Sequence, residues 1–189
     1  MRSIGKLLLT VAVIVAVIFV GCKIYDRVQL EIYPTKYSEL VETYSKRYGV
    51  DKHLIYAVIK CESGFDKDAV SSIGAKGLMQ MTDDTFEWIQ KKEGVTDPKV
   101  PQSLFTPDIS IHYGTALLKR NLDEFGDVKT AAAAYHAGSS AVRGWLENKE
   151  YSKDGKTLSY IPYEDTRSYA ERVVKVQATY KQLYGENNG

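Results

Sequence analysis

Residues 51–68 read D-K-H-L-I-Y-A-V-I-K-C-E-S-G-F-D-K-D, and the fold is decided by how this stretch is read. Asp51 is an N-cap residue, and Leu54, Ile55, Val58 and Ile59 recur at helical spacing, so the spacing predicts a helix with one apolar face. Glu62 falls in its last turn, beside that face. A carboxylate there is poorly solvated and sits at the negative end of the helix dipole. Both effects push its pKa upward, as a general acid working near neutral pH requires. The plain alternative is an exposed helix-end glutamate, the ordinary fate of this residue type.

The same periodicity extends outward in both directions. Before this helix, Tyr37, Leu40, Val41, Tyr44 and Tyr48 lie on one face, and Gly49 closes the segment. After it, residues 64–77 are rich in turn formers and read as a loop, a common place for function. Thr82 or Asp83 caps a helix carrying Phe86, Trp88 and Ile89 that stops at Gly94. Thr106-Pro107 starts a long helix ending before Gly126. Asp127 caps A-A-A-A-Y-H-A-G, whose alanines permit close packing, and Ser139 or Ser140 opens a short helix with Val142, Trp145 and Leu146. After a polar excursion over 147–159, a final helix runs from about Glu164 to Tyr184, with Tyr169, Val173, Val176, Tyr180 and Leu183 on one face. No segment shows sustained two-residue alternation, so the chain is expected to be all or nearly all α.

With 189 residues, 44% of them hydrophobic, the chain can build one packed domain and a short extra segment. A formal net charge of +1, without a basic tract, argues against nucleic acid as a partner. His53, His112 and His136 form no ligand spacing, so neither a metal nor another cofactor is expected. The 14 Tyr and 2 Trp suit a sugar-binding groove, although most such rings pack in cores. A disulfide between Cys22 and Cys61 is not expected.

At the N-terminus, Arg2 and Lys6 precede an uncharged run over 7–22. Sixteen helical residues span about 24 Å, somewhat under the ~30 Å hydrocarbon core, with Lys6 and Lys23 able to snorkel. Residues 1–22 are read as a signal-anchor or signal peptide, 23–33 as a juxtamembrane connector, and 34–185 as the catalytic domain. Phe19-Val20-Gly21 before Cys22 also loosely resembles a lipobox. Anchor, lipoprotein and secreted forms all place the domain outside the cytoplasm.

Four segments, in order, resemble the lysozyme-like lytic transglycosylases of the soluble lytic transglycosylase type: Glu62-Ser63-Gly64, Gly77-Leu78-Met79-Gln80, Ala134-Tyr135-His136-Ala137-Gly138, and Ile161-Pro162-Tyr163-Glu164-Asp165-Thr166-Arg167 followed by Tyr169. The resemblance covers about residues 35–185. It implies a lysozyme-like helical domain that cuts the β-1,4 bond between N-acetylmuramic acid and N-acetylglucosamine in peptidoglycan, leaving a 1,6-anhydromuramoyl end. Peptidoglycan strands would be the partner, the membrane would be met only through the N-terminal segment, and the protein would act as a monomer.

Residue by residue, the resemblance makes Glu62 the catalytic acid and base. Ser71 would position substrate, Gln80 would hydrogen-bond sugar, and Met79 would line the groove floor or else pack in the core. Tyr135 would be a groove tyrosine, Tyr169 would orient Glu62 from the last helix, and Ser63 would brace the helix end. His136 stands where the family most often has Asn and brings a titratable ring. Asp165 stands where Glu is usual and shortens a groove carboxylate by one methylene. Glycosidases ordinarily use two carboxylates, and only Glu62 occupies a strong motif position, since Asp66 and Asp68 read as turn formers. Three other readings compete: a hydrolytic muramidase of the same fold, a non-catalytic wall-binding scaffold, and a cysteine hydrolase built on Cys61. The last needs a base, and His53 lies about 12 Å away along the same helix.

Overall fold

The structure, a computed structural model, describes residues 2–185; the side chains of residues 2–5 and 7–13 lie outside the description. The chain divides into two compact units, Met1–Thr35 and Lys36–Gly189. The described residues contain eight α-helices, one short 3-10 helix and no strand, so the fold is all-α, as the periodicity predicts.

The first unit is the helix α1, Arg2–Ile32. Residues 23–32, expected to be a connector, are helical and continuous with those before them. The described apolar side chains of α1, from Ile14 through Phe19 to Ile32, are exposed. Among the described residues, no helix is long and apolar enough to cross a membrane. The first half of the apolar run expected to do so, residues 7–13, lies outside the described side chains.

The second unit contains α2 (Ser38–Tyr48), α3 (Lys52–Glu62), α4 (Asp83–Lys92), α5 (Pro107–Phe125), α6 (Val128–Ala137), α7 (Ser139–Glu147) and α8 (Glu164–Tyr184). Three of the caps the sequence signals form through side chains, whereas Thr106 before α5 and the residues opening α7 make no side-chain cap bond. The Asp51 carboxylate accepts from the His53 N–H, Thr82 from the Thr85 N–H and Asp127 from the Thr130 N–H. Helix α3 buries Leu54, Ile55, Ala57, Val58 and Ile59 almost completely and packs against α8. Each large side chain among them contributes about 1.5–3 kcal/mol on burial. The facing stripe of α8 is Tyr169, Ala170, Val173, Val176 and Tyr180. Ala131, Ala132 and Ala133 have no exposed surface, and their small size lets α6 pack against α5, α7 and α8. The sequence pattern does not anticipate the 3-10 helix Pro101–Phe105, a single turn too short to show a period. Both cysteines are free thiols.

The loop between α3 and α4 is irregular but tightly tied. Ser63 takes the C-cap position of α3 and its Oγ donates to the Leu78 carbonyl at 2.9 Å. Lys76 and Met81 exchange two backbone hydrogen bonds, and Ser71 and Ala75 pair through backbone and side chain. Gly77 has a φ of +73°, and a Cβ there would overlap the Leu104 carbonyl oxygen. Backbone conformation and lack of space therefore both demand glycine. Gly77→Ala is expected to destabilise the domain by more than about 2 kcal/mol, read as a lower urea midpoint; an unchanged midpoint would show that the loop can move aside.

Candidate active site

Glu62 is the last residue of α3, so its side chain leaves the helix at the mouth of a long open cleft of about 1480 Å³. Behind it stands Tyr169 of α8, 3% exposed, whose hydroxyl donates to Glu62 Oε1 at 2.5 Å. Burial raises the Glu62 pKa to about 7, while the Tyr169 hydrogen bond and the Arg172 charge pull the other way. Burial prevails because desolvation penalises the whole charge of the carboxylate, whereas one hydrogen bond and one exposed cation recover only part of that loss. Burial also holds the Tyr169 phenol well above its ordinary pKa, so it stays a donor.

The Gly77–Gln80 segment runs beneath the surface to Gln80, which borders the cleft, and is held at several points. The Met79 N–H donates to Ser110 Oγ at 3.1 Å, the Met79 carbonyl accepts from the Tyr135 hydroxyl at 2.8 Å, and Leu78 is braced by Ser63. Met79 itself is fully buried, packed over Gly114, and does not border the cleft. Of the two roles the sequence leaves it, packing is the one its position allows, and a groove-floor contact is not. Gln80 has a φ of +47°, and its Nε2 donates to the carbonyls of Ala69 and Gly77, which engages both amide protons. Ser71 borders the cleft, and its Oγ already accepts from the Ala75 N–H at 3.0 Å; its own proton remains free to donate outward.

On the facing wall, Tyr135, His136 and Asp165 border the cleft. The His136 ring stacks on Tyr169 with centroids 4.7 Å apart, and its Nδ1 lies 3.2 Å from Thr166 Oγ1. Burial against these neighbours, aided by the Arg172 charge, lowers the His136 pKa, with Asp165 opposing. The imidazole is therefore neutral at neutral pH, with one donor and one acceptor. One oxygen of Asp165 is held by the Thr166 N–H at 2.7 Å.

Glu62, Ser71, Gln80, Tyr135, His136 and Asp165 thus share one cleft, with Tyr169 behind it. Cys61 does not border the cleft, and burial pushes its thiol pKa up. His53 is turned to Asp51 at 2.9 Å, so the pair needed for a cysteine hydrolase is absent from α3. Asp66 caps its own turn at the Asp68 N–H, and Asp68 pairs with Lys67. Among the described residues, no group of His, Cys, Asp and Glu is arranged to hold a metal. Sequence reasoning gave Thr166 no role beyond its place in the motif and missed Arg172, although both lie three residues from Tyr169, on its face of α8.

Residues 39–158 match the family described as the transglycosylase SLT domain. The chain belongs to that family. It is 30% identical over 166 residues to the soluble lytic murein transglycosylase of Salmonella typhimurium, a match covering 87% of this chain and 26% of that protein. The chain therefore spans about a quarter of that relative's length. The crystal structure of the 70 kDa soluble lytic transglycosylase of Escherichia coli superposes with a TM-score of 0.75 at 29% identity, over 83% of this chain and 26% of that one. An inactive glutamate-to-glutamine mutant of the lytic transglycosylase Slt of Pseudomonas aeruginosa gives a TM-score of 0.70 at 30% identity, over 82% of this chain and 26% of that one.

The raised pKa of Glu62 has a thermodynamic consequence. Its folded value lies above its unfolded value, so its contribution to stability falls as pH rises from about 4.5 to about 7 and stays lost above that. Glu62→Gln, which preserves the acceptor for Tyr169, is expected to match the wild type near pH 4.5 and exceed it by about 3 kcal/mol at pH 8. Denaturant titrations at the two pH values check this; an equal difference at both would mean that Glu62 is not desolvated.

Proposed function

We propose that this SLT-domain chain is a peptidoglycan lytic transglycosylase in which Glu62 serves as acid and then as base. The observation that carries the reading is the buried carboxyl at the cleft wall, protonated up to about pH 7 and aimed by the Tyr169 hydroxyl. The inactive glutamate-to-glutamine mutant of the Pseudomonas aeruginosa relative fits a reaction resting on one such group.

In this mechanism the Glu62 proton passes to the oxygen linking N-acetylmuramic acid to N-acetylglucosamine as the C1–O bond breaks. The leaving sugar departs with a free 4-hydroxyl. The positive charge growing at C1 is stabilised by the substrate's own N-acetyl oxygen, which takes the part of the second carboxylate of ordinary glycosidases. The muramoyl 6-hydroxyl then attacks C1 and gives its proton to Glu62, closing the 1,6-anhydro ring and restoring the acid. No water enters. Ser71, the Gln80 amide oxygen, His136 and Asp165 offer a donor, an acceptor, a neutral ring and a carboxylate to the sugar hydroxyls and acetamido groups, and Tyr135 holds the Met79 carbonyl beneath them.

Residues 34–185 form the catalytic domain in this reading, which acts as a monomer on the wall outside the cytoplasm. The apolar run over 7–22 supports an N-terminal membrane attachment, and 23–33 joins the two.

Mass spectrometry of digested peptidoglycan tests the reaction. The wild type should release anhydromuramoyl products, and Glu62→Gln should be slower by about 100- to 10,000-fold. Exclusively reducing ends would make the enzyme a hydrolase, and no soluble fragments from either form would make it a scaffold. The rate should also fall as pH rises through about 7, where Glu62 loses its proton. Tyr169→Phe removes a hydrogen bond that lowers the Glu62 pKa, so it should move that limb to higher pH while reducing kcat; an unmoved limb would assign it to another group.

A further inference from the structure

The cleft contains a feature that the bond-breaking chemistry leaves unused. On the wall built by α4 and α5, Trp88 is 41% exposed and carries two cations over its ring: Lys92 Nζ at 5.8 Å and the Arg120 guanidinium at 5.4 Å from the centroid. Trp88 and Lys92 are four residues apart on α4, and Arg120 comes from α5, so two helices bring like charges to one indole. All three border the same cleft as Glu62.

Among the described residues, neither cation has a carboxylate within ion-pair distance. The nearby acids are otherwise engaged: Asp123 pairs with Lys119, and Glu124 pairs with Arg143. Asp84, which also borders the cleft, lies in the first turn of α4, about 12 Å along the helix from Lys92. Two cations sharing one ring repel each other, and an anion between them relieves the repulsion while gaining charge-assisted hydrogen bonds. The planar guanidinium fork matches a carboxylate in particular.

We propose that Trp88, Lys92 and Arg120 form a subsite for a carboxylate of the peptide stem carried by the bound glycan strand. This rests on the reading of the cleft as a peptidoglycan site. A strand lying in the cleft carries its stems along the walls, and the α4–α5 wall offers a stem carboxylate two cations and an indole edge. The subsite then favours strands with acidic stems over strands whose stem carboxylates are amidated.

The test uses the full-length chain in detergent with Glu62→Gln, so that strands bind without being cut. Calorimetry compares soluble strands of equal length whose stem carboxylates are either free or converted to primary amides. The free-acid strand should bind about ten-fold more tightly, with a preference that weakens as salt rises. Adding Lys92→Gln and Arg120→Gln should abolish the preference and leave affinity for the amidated strand unchanged. Equal affinity for the two strands in the parent, a preference that survives both substitutions, or no binding of either strand would overturn the subsite. The catalytic reading is decided separately by the wild type's products. Preferential binding without cleavage would keep the subsite and remove that reading.

Discussion

One hydrogen bond, between a buried phenol and a half-buried carboxyl at the cleft wall, organises this domain. The Tyr169 hydroxyl meets Glu62 Oε1 at 2.5 Å across the junction of α3 and α8, linking residues 107 positions apart. A carboxyl at that depth has few partners, so its geometry depends on how α3 and α8 pack. The apolar stripe Leu54–Ile59 and its counterpart Ala170–Tyr180 set that packing. Hydrophobic burial holds the two helices together, and the polar pair at the end of the seam inherits their register. Rigidity at the Glu62 carboxyl thus comes from the apolar packing of the two helices.

The second constraint is the Gly77–Gln80 segment, which has no regular structure to hold it. Three of its backbone groups are satisfied by side chains, Ser63 at the end of α3, Ser110 of α5 and Tyr135 of α6, and the Gly77 and Gln80 N–H groups by carbonyls of the loop itself. Burial would leave these groups unsatisfied at a cost of about 1–3 kcal/mol each without their partners. That requirement explains why a motif segment and two other motif residues act as one unit. Met79 sits at the centre as ballast: its thioether fills the space over Gly114 while its backbone makes the connections.

Most of the helical architecture could be read from the chain. Apolar spacing, the Asp51 and Asp127 caps and the glycines after α2, α5 and α6 are local signals, and local signals survive in sequence. The 3-10 turn over 101–105 could not be read because it is too short to show a period, and the continuation of α1 through residues 23–32 is obscured because Val28, Leu30 and Ile32 alternate while Ile24, Val28 and Ile32 keep helical spacing. At the site, the motif residues could be named, but Thr166, although inside a motif, could be given no role, and Arg172 could not be named. Their significance comes from packing α8 on α3 and α6, a long-range fact. Met79 illustrates the same limit. Spacing puts it inside the motif and cannot say whether it faces the cleft, which depends on the absence of a side chain at Gly114, 35 residues away.

The Glu62 pKa shows how these constraints combine. A group that must donate a proton and then accept one works best when both forms are accessible at the working pH. Full desolvation alone would keep the carboxyl protonated and make it a poor base; full solvation would keep it ionised and make it no acid. The site balances the two: apolar packing raises the value, and Tyr169 and Arg172 bring it back to about 7. The same Arg172 charge lowers the His136 pKa, so a single exposed cation on α8 helps keep the imidazole neutral beside a carboxyl poised between its two forms. Poise at neutral pH is thus a property of the helix seam and its flanking charge, and it is what the double role proposed for Glu62 requires.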